Sequence, residues 1–361
     1  MENSKEFYMK RALELAEKGM GHTSPNPMVG CVVVKDGKIV AEGYHEKCGG
    51  YHAERNALLS CKEDVRGAEL YVTLEPCCHY GKTPPCTEII IEKGIGKVYI
   101  GSMDSNPLVG GKGVKILEDA GIEVECGILK EECEKLNEVF FHYIKTKTPF
   151  VVMKYAMTLD GKIAAYTGDS KWVTGESARK HVHLLRKKYS GILVGIRTVK
   201  EDNPMLNCRI EEGCDPVRII CDSNLSISLD SQIVKTAKTI KTIIAYAKEN
   251  KEKIDALEKE NITLLQAEKN GKVNLKHLIE KLGELGIDSV LVEGGGEIHG
   301  AFLEENLVNK VYAYIAPKMV GGSTAKTPVA GNGFEKMEEA RKLKNVKTEA
   351  LGEDILVTGY I

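Results

Sequence analysis

The sequence predicts an α/β protein of two domains, and three observations support this fold class. A β-hairpin signal near the N-terminus is followed by alternating helical and extended segments up to about residue 126. A polar segment that ends in proline, 145–149, interrupts this pattern, and a second series of strands separated by helices begins after it. The chain has 361 residues, which is more than one ordinary domain. We therefore place the first domain over residues 1–146 and the second over 147–361.

In the first domain, Ser4 is a suitable N-cap for a helix that Gly19 and Gly21 would end. The inner face of this helix is predicted to hold Phe7, Ala12, Leu15 and Ala16. Two apolar stretches then flank Asp36 and Gly37, which is typical of a hairpin with a type I′ turn. Helices are predicted over 52–61, 87–93 and 113–119, and strands over 68–74, 97–102 and 122–126. A hairpin followed by alternating helix and strand indicates a three-layered α/β domain.

In the second domain, strands are predicted over 150–157, 190–195, 217–222, 242–247 and 289–294. Helices are predicted over 177–188 and 274–285. Apolar strands separated by helices are typical of an α/β sheet that is covered on both faces.

Composition excludes several classes of function. The formal net charge is −2 and no Lys/Arg-rich arm is present, which argues against a nucleic-acid partner. The N-terminus does not resemble a signal peptide, and no apolar run reaches the roughly 18 residues that cross a bilayer. We therefore expect a cytoplasmic protein that does not bind membranes. Its eleven cysteines, an odd number, do not suggest a disulfide framework, and eight of them lie at or before Cys133.

The strongest chemical signal is a set of metal ligands in the first domain. His52 and Glu54 are followed by Cys77 and Cys86, so that one imidazole and two thiolates are available to zinc. Three protein ligands leave a fourth position for water, and zinc lowers the pKa of such water to about 7. His52 and Glu54 point in different directions on a helix, so the carboxylate of Glu54 is better used as a general acid and base. This combination indicates hydrolytic deamination of a pyrimidine-like ring.

Two features leave alternatives open. Zinc base deaminases carry H-x-E followed by P-C-x-x-C, whereas eight residues separate Cys77 from Cys86 here. On spacing alone Cys78 could replace Cys77, although the preceding proline favours Cys77. A structural zinc site, or buried thiols beside a core histidine, are the alternatives to a catalytic site.

The second domain carries a glycine turn. The strand that ends at Glu293 runs into Gly294, Gly295 and Gly296, and an apolar helix follows. A strand, a glycine turn and a helix N-terminus can hold a phosphate group, although the spacing is not that of the Rossmann fingerprint. The residues themselves support only a possible dinucleotide or phosphate site.

Taken together, several motifs resemble the bifunctional riboflavin-biosynthesis deaminase/reductases. These motifs are SPNPMVG (24–30), HAE (52–54), TLEPCCHYGKTPPC (73–86), KYAMTLDGKIA (154–164), GDSKWVTG (168–175), LLR (184–186), GIRTVKEDNPMLNCR (195–209) and VEGGGEIHGAF (292–302). They cover both halves of the chain in the order of that family. The resemblance implies a cytidine-deaminase-like α/β/α domain followed by a dihydrofolate-reductase-like α/β domain.

The resemblance also implies the chemistry. The first domain would remove the 2-amino group of 2,5-diamino-6-(ribosylamino)-4(3H)-pyrimidinone 5′-phosphate. The second would use NADPH to reduce the ribosyl group of the product, 5-amino-6-(5-phosphoribosylamino)uracil, to ribityl. The partner would be a small phosphorylated pyrimidine, and the enzyme is expected to be a homo-oligomer, a dimer or a tetramer.

The same resemblance assigns site residues. Zinc would be held by His52, Cys77 and Cys86, with Glu54 as proton shuttle and Asn26, His79 and Lys82 against the substrate. NADPH contacts would come from Ala156, Trp172, Thr198, Asp202, Ser223, Gly295, Gly296, Glu297, Ile298, His299, Gly300 and Ala301. Reductase substrate contacts would come from Ser170, Arg186, Leu206, Arg209 and Glu293, with Arg186 or Arg209 on the phosphate. Lys154 and Asp202 are candidates for positioning or protonating the sugar, and Trp172 has packing as its alternative role.

Two rival functions remain from the sequence. A deaminase of tRNA or of another nucleobase, with a nucleotide-binding second domain, would use the same zinc chemistry. It would need a basic track and stacking aromatic residues, whereas only 6% of this chain is aromatic. A nucleotide sensor with structural zinc is the second rival. A Glu54 carboxylate beside a metal with an open coordination position argues against it.

Overall fold

The computed structural model describes residues 4–105, 110–211 and 213–361. The chain divides into two compact units, Met1–Lys147 and Thr148–Ile361, so the observed division lies one residue after the expected one. In the described parts of the chain, no helix combines the length and the apolar character that a membrane span requires.

The first unit is a three-layered α/β/α structure. Its elements are α1 (Lys5–Glu17), β1 (Gly30–Lys35), β2 (Lys38–Tyr44), α2 (Ala53–Ser60), β3 (Glu69–Leu74), α3 (Cys86–Glu92), β4 (Lys97–Ser102), α4 (Lys112–Asp119), β5 (Glu123–Cys126), α5 (Lys130–Leu136) and α6 (Glu138–Thr146). The five strands form one sheet in the order β2-β1-β3-β4-β5. β1 is antiparallel to β2 and β3, and β3, β4 and β5 are parallel.

Alternating side chains of β1 divide the core between the two faces of this sheet. Cys31 and Val33 pack in a cluster with residues of α2, α3 and α4. Val32 and Val34 pack on the other face with residues of α1 and α5. The period of two along a strand therefore produces the three layers.

The N-terminal predictions are confirmed, with one exception. The Ser4 side chain accepts a hydrogen bond from the Phe7 backbone N–H at 3.2 Å, as an N-cap does. Asp36 and Gly37 have φ of 51° and 73°, as the type I′ turn requires. Placing Phe7 on the inner face was wrong, because its side chain is 42% exposed. Phe7 precedes Ala12 by five residues, which is about 140° around the helix, and Tyr8 and Met9 are buried instead.

The second unit is built on a nine-stranded mixed sheet. Its elements are β6 (Phe150–Thr158), α7 (Glu176–Lys188), β7 (Gly191–Gly195), α8 (Ile196–Asp202), β8 (Val217–Cys221), α9 (Gln232–Lys235), β9 (Thr242–Tyr246), α10 (Lys251–Glu258), β10 (Ile262–Gln266), β11 (Glu268–Lys269), β12 (Lys272–Val273), α11 (Leu275–Glu284), β13 (Ser289–Gly294), α12 (Gly296–Glu304), β14 (Lys310–Ala316), a 3₁₀ turn (Met337–Glu339), β15 (Lys344–Leu351) and β16 (Asp354–Tyr360). The strand order is β10-β9-β8-β7-β13-β6-β14-β16-β15, and β11 pairs with β12 separately.

The predicted strands of this unit form the middle of the parallel part of the sheet, from β9 to β6. Two parallel strands that were not predicted, β10 and β14, extend it on either side. One core cluster contains residues of α11 and α12, and another, on the opposite side of the strands, contains residues of α9 and α10. Both faces are therefore covered, as predicted. The antiparallel pair β15 and β16 was not predicted, because β15 is almost wholly exposed and lacks the apolar alternation of a buried strand.

Candidate active sites

Three of the predicted zinc ligands meet at one end of the first sheet. His52 is the N-cap residue of α2, Cys86 is the first residue of α3, and Cys77 lies in the loop after β3. His52 Nδ1 is 3.4 Å from Cys77 Sγ and 3.5 Å from Cys86 Sγ. All three donor atoms lie within 4.8 Å of one another, and in the described parts of the chain the group consists of these three residues.

The donor set fits zinc. Zn–S bonds of about 2.3 Å and Zn–N bonds of about 2.0 Å in a tetrahedron separate the ligand atoms by about 3.5 Å. The separations between His52 Nδ1 and the two sulfur atoms are close to this value. Cys78 lies outside the group, and burial is the largest cause of the raised pKa of its thiol. The geometry therefore favours Cys77 over Cys78.

The sulfur of Cys77 lies in a setting that favours thiolate. The Cys86 thiol donates to it, and His52 adds a second interaction, so that the pKa of Cys77 is lowered. The backbone N–H of Cys86, at the start of α3, also donates to Cys77 Sγ at 3.4 Å. A backbone N–H at a helix N-terminus therefore helps to stabilise this sulfur.

Glu54 lies in the first turn of α2 and is only 3% exposed. Its Oε2 atom is buried without a hydrogen-bond partner. Burial is the largest cause of the shifted pKa of Glu54 and raises it to about 6, although the nearby His52 acts to lower it. A carboxyl group with a pKa near neutrality and a free oxygen atom can both accept and release a proton.

The cluster opens into a cavity of about 340 Å³. Asn26, His79 and Lys82, the three expected substrate contacts, all line it together with His52, Glu54 and Cys77. The Nδ1 atom of His79 is buried without a hydrogen-bond partner.

His45, which the sequence analysis did not single out, also lines this cavity. Its Nδ1 lies 3.0 Å from the Tyr51 carbonyl oxygen, and its Nε2 lies 3.3 Å from Asn26 Nδ2. Burial lowers the pKa of this imidazole, which favours its neutral form. The signal that could have revealed it is its position directly after β2, at the same end of the sheet as the metal ligands.

In the second unit, three charged side chains form a buried cluster. Arg186 Nε and Nη2 donate to the two oxygens of Glu293 at 2.7 and 3.0 Å, and Lys154 Nζ is 3.6 Å from Glu293 Oε2. Burial tends to raise the pKa of Glu293, but Arg186 and Lys154 outweigh it and lower the pKa to about 2. Burial lowers the pKa of Lys154.

A second cavity, of about 240 Å³, lies beside this cluster. The expected site residues that line it are Lys154, Ala156, Ser170, Trp172, Glu293, Gly295, Gly296 and His299. Trp172 is 64% exposed, and its ring stacks with the guanidinium of Arg179 at 4.7 Å. Trp172 is therefore a surface residue at a cavity and not a core packing residue.

The glycine turn brings two helix N-termini together. β7 and β13 are parallel neighbours, and α8 and α12 begin directly after them. A Cβ atom on Gly295 would lie 3.5 Å from Thr198 Oγ1 in the first turn of α8, and one on Gly296 would lie 2.6 Å from the Thr327 carbonyl oxygen. Two helix N-termini and a turn without side chains fit the phosphates of a dinucleotide.

Other expected residues lie away from this cavity. The Leu206 side chain is in the core. Ile298 and Ala301 pack against the core, and a Cβ on Gly300 would lie 1.8 Å from the Ala330 carbonyl oxygen. Glu297, Asp202 and Arg209 are exposed, and Ser223 Oγ accepts a hydrogen bond from the Val273 N–H. The structure thus groups about half of the expected reductase residues around one cavity.

Comparisons with known proteins agree with this division. Residues 2–102 match the cytidine and deoxycytidylate deaminase zinc-binding region, and residues 149–357 match the RibD C-terminal domain. The riboflavin biosynthesis protein RibD of Actinobacillus pleuropneumoniae is 56% identical over 97% of this chain and 93% of that protein. The chain belongs to the RibD family.

Two further RibD-type proteins extend the match. The RibD protein of Escherichia coli strain K12 is 38% identical over 97% of both chains. A crystal structure of a diaminohydroxyphosphoribosylaminopyrimidine deaminase/5-amino-6-(5-phosphoribosylamino)uracil reductase from Thermotoga maritima superimposes with a TM-score of 0.87, at 42% identity and with coverage of 99% of this chain and 98% of that chain.

Family membership decides the function at the level of the reaction. This RibD-family chain is a bifunctional deaminase and reductase of riboflavin biosynthesis, with zinc and NADPH as cofactors and a small pyrimidine as substrate. The expectations of a cytidine-deaminase-like first domain and a reductase second domain are confirmed. The nucleic-acid deaminase and the nucleotide sensor are set aside, because the match extends over nearly the full length of both chains.

Proposed function

We propose that the first unit deaminates 2,5-diamino-6-(ribosylamino)-4(3H)-pyrimidinone 5′-phosphate, with His52, Cys77 and Cys86 holding zinc. The observation that carries the proposal is the buried Glu54 carboxylate, whose Oε2 has no partner, in the same cavity as these three donors. Zinc supplies hydroxide at neutral pH when it is bound. The net reaction consumes water, replaces the ring C–NH₂ by a carbonyl and releases ammonia.

In this reaction Glu54 moves the protons. Because its pKa is near 6, the carboxylate accepts a proton readily and returns it to the departing nitrogen. Asn26, His45 and His79 line the cavity with groups that can hydrogen-bond to the ring. Lys82 offers a positive charge to the substrate phosphate.

The test of this assignment is Glu54→Gln, which preserves the shape of the side chain and removes its acid–base function. We expect the rate of ammonia release to fall by about 10²–10⁴-fold. Zinc content and NADPH oxidation with the deaminated intermediate should stay unchanged, as they should in the exposed control Glu63→Gln. A Glu54→Gln protein that deaminates at the control rate would remove Glu54 from the mechanism.

We propose that the second unit reduces 5-amino-6-(5-phosphoribosylamino)uracil with NADPH bound at the glycine turn. Gly295, Gly296 and Thr198 would hold the dinucleotide phosphates, and Ala156, Ser170 and Trp172 would line the rest of the cavity. Lys154, buried and positively charged, would position the sugar or protonate it. Asp202 is a weaker candidate for that role because it is exposed.

The substrate phosphate is assigned to Arg209. Arg186 and Arg209 both have a guanidinium group that could bind a phosphate. In Arg186, however, Nε and Nη2 donate to Glu293, and Nη1 donates to the Asn207 carbonyl oxygen at 3.0 Å. Arg209 is exposed, and its side chain contacts only Asn207 Oδ1, at 3.3 Å, among the hydrogen bonds of the described residues. Its guanidinium is therefore available to an anion.

The reductase assignment is tested by Lys154→Ala. We expect kcat for NADPH oxidation to fall by about 10²–10⁴-fold, because a charged group beside the reacting sugar is lost. Deamination by the same preparation is the internal control and should not change. Normal reduction by the variant would show that Lys154 has no part in the chemistry.

We also propose that the enzyme acts in the cytoplasm as a homo-oligomer. The cysteines of the described residues form no disulfide, which suits a reducing compartment. Light scattering of the purified protein measures the oligomeric state directly.

A further inference from the structure

A second buried carboxylate lies beside the zinc-binding cluster. Glu75 follows β3 directly and is 3% exposed. Its Oε2 accepts hydrogen bonds from the backbone N–H groups of Asp104 at 3.2 Å and Gly111 at 3.0 Å. Its Oε1 accepts from those of Gly113 at 3.1 Å and Val114 at 3.3 Å. Each carboxylate oxygen therefore holds two N–H groups.

Three of these donors belong to the N-terminus of α4. Gly111 is its N-cap residue, and Gly113 and Val114 lie in its first turn. N–H groups at a helix N-terminus have no partner within the helix, and the helix dipole favours a negative charge there. A carboxylate from another element thus caps α4, because the N-cap Gly111 has no side chain to do so.

The approach of α4 to this segment is very close. A Cβ atom on Gly113 would lie 2.2 Å from the Pro76 carbonyl oxygen and 3.2 Å from Glu75 Oε1. On the other side, the Glu75 backbone N–H donates to the Ser102 carbonyl oxygen at 3.0 Å. The segment formed by Glu75 and Pro76 is therefore held between the end of β4 and the start of α4.

Two residues next to the Glu75 contacts lie at the deaminase cavity. Cys77 follows Pro76 directly and belongs to the zinc-binding group, while Asp104 lines the cavity wall. We propose that Glu75 is a positioning residue for deamination, which fixes Cys77 in its ligand geometry and Asp104 at the wall. The inference rests on the proposed assignment of Cys77 as a zinc ligand.

The size of the effect follows from other metal sites. Groups that orient a metal ligand from outside the coordination shell typically change metal affinity by 10–100-fold when they are mutated. Glu75→Gln retains one carbonyl oxygen and turns its NH₂ group toward two N–H donors, whereas Glu75→Ala removes all four contacts. We therefore expect the Kd for zinc, measured by competition with a chelator, to rise about 10-fold in Glu75→Gln and about 100-fold in Glu75→Ala.

Two further measurements separate positioning from a general loss of stability. In the cobalt-substituted protein, the thiolate-to-metal absorption should shift in both Glu75 variants, because the Cys77 sulfur is displaced. In the zinc-free protein, the amides of Gly111, Gly113 and Val114 should exchange with solvent faster. The exposed control Glu92→Gln on α3 should behave as the parent in both, and NADPH oxidation reports folding of the second unit.

The outcomes separate this inference from the ligand assignment. If Cys77→Ser does not weaken zinc binding, the proposed ligand set is wrong. If Cys77→Ser weakens binding but Glu75→Gln binds zinc with the Kd of Glu92→Gln and an unchanged cobalt spectrum, the ligand set stands and the role of Glu75 is refuted. Should Glu75→Ala fail to fold, Glu75→Gln alone decides the question.

Discussion

At the scale of single residues, the cluster in the second unit has an unequal balance of charge. Glu293 faces both Arg186 and Lys154, so two cations share one buried anion. Leaving either cation without its partner in a buried site is costly. Glu293 therefore organises the two positive groups, and its expected role as a substrate contact is limited by these bonds.

The charge of Glu293 should appear in the pH dependence of stability. Its pKa is about 2 in the folded protein, against an ordinary value of 4.5, so its contribution is complete above pH 4.5 and is lost as the pH falls toward 2. A shift of this size corresponds to about 3 kcal/mol. We expect the difference in free energy of unfolding between the parent and Glu293→Gln to shrink by about that amount between pH 5 and pH 2.

Urea unfolding at a series of pH values measures this difference. Glu353→Gln, at an exposed turn position, is the control and should give a constant difference from the parent. A Glu293→Gln difference that is equally constant over the same pH range would mean that the carboxylate does not hold the low pKa.

At the scale of elements, the position of α12 determines the geometry of the proposed NADPH site. Gly300 lets this helix approach the backbone at Ala330 very closely, because a Cβ atom on Gly300 would lie 1.8 Å from the Ala330 carbonyl oxygen. Backbone cannot yield as a flexible side chain does, so any substituent at Gly300 moves the helix and with it the turn at Gly295 and Gly296.

Gly300→Ala should therefore impair cofactor binding without touching the cavity. We expect a loss of about 1–3 kcal/mol in the free energy of unfolding of the second unit, as overpacking typically causes. The KM for NADPH should rise with it, while deamination by the same chain stays at the parent rate. An unchanged KM and an unchanged stability would show that α12 does not need this close approach.

At the scale of the whole molecule, the two chemistries belong to separate units. The zinc-binding group lies within Met1–Lys147, and the candidate NADPH cavity lies within Thr148–Ile361. Each unit has its own sheet and its own core clusters. A perturbation of the metal should therefore affect one unit alone.

Removal of zinc by a strong chelator tests this separation. A ligand present at 1,000 times its Kd stabilises the folded state by about 4 kcal/mol. We expect calorimetry to show one transition falling by about 10 °C, with deamination lost and NADPH oxidation retained. Addition of zinc should restore both the transition and the deaminase activity. Loss of both activities on chelation would contradict independent function of the units.

The sequence by itself predicted most elements of the first unit, the central strands of the second sheet and three candidate zinc donors. The hairpin, the alternation of helix and strand and the H-x-E and cysteine spacings are local patterns, which a few neighbouring residues specify. The motifs in both halves also determined the family. Phe7 was misplaced because it lies at the edge of the apolar helix face, and β15 was missed because an exposed strand carries a weak periodic signal. The strands β10, β14 and β16 were not predicted either.

Only the tertiary structure decided which charged groups pair. Arg186 meets Glu293 across 107 residues, whereas Arg209 does not share in that bond. Glu75 collects N–H groups from beyond β4, and His45 reaches the cavity beside Asn26. Such contacts depend on which strand ends are neighbours in the sheet, and strand order is set by packing over the whole unit and not by the residues adjacent in the chain.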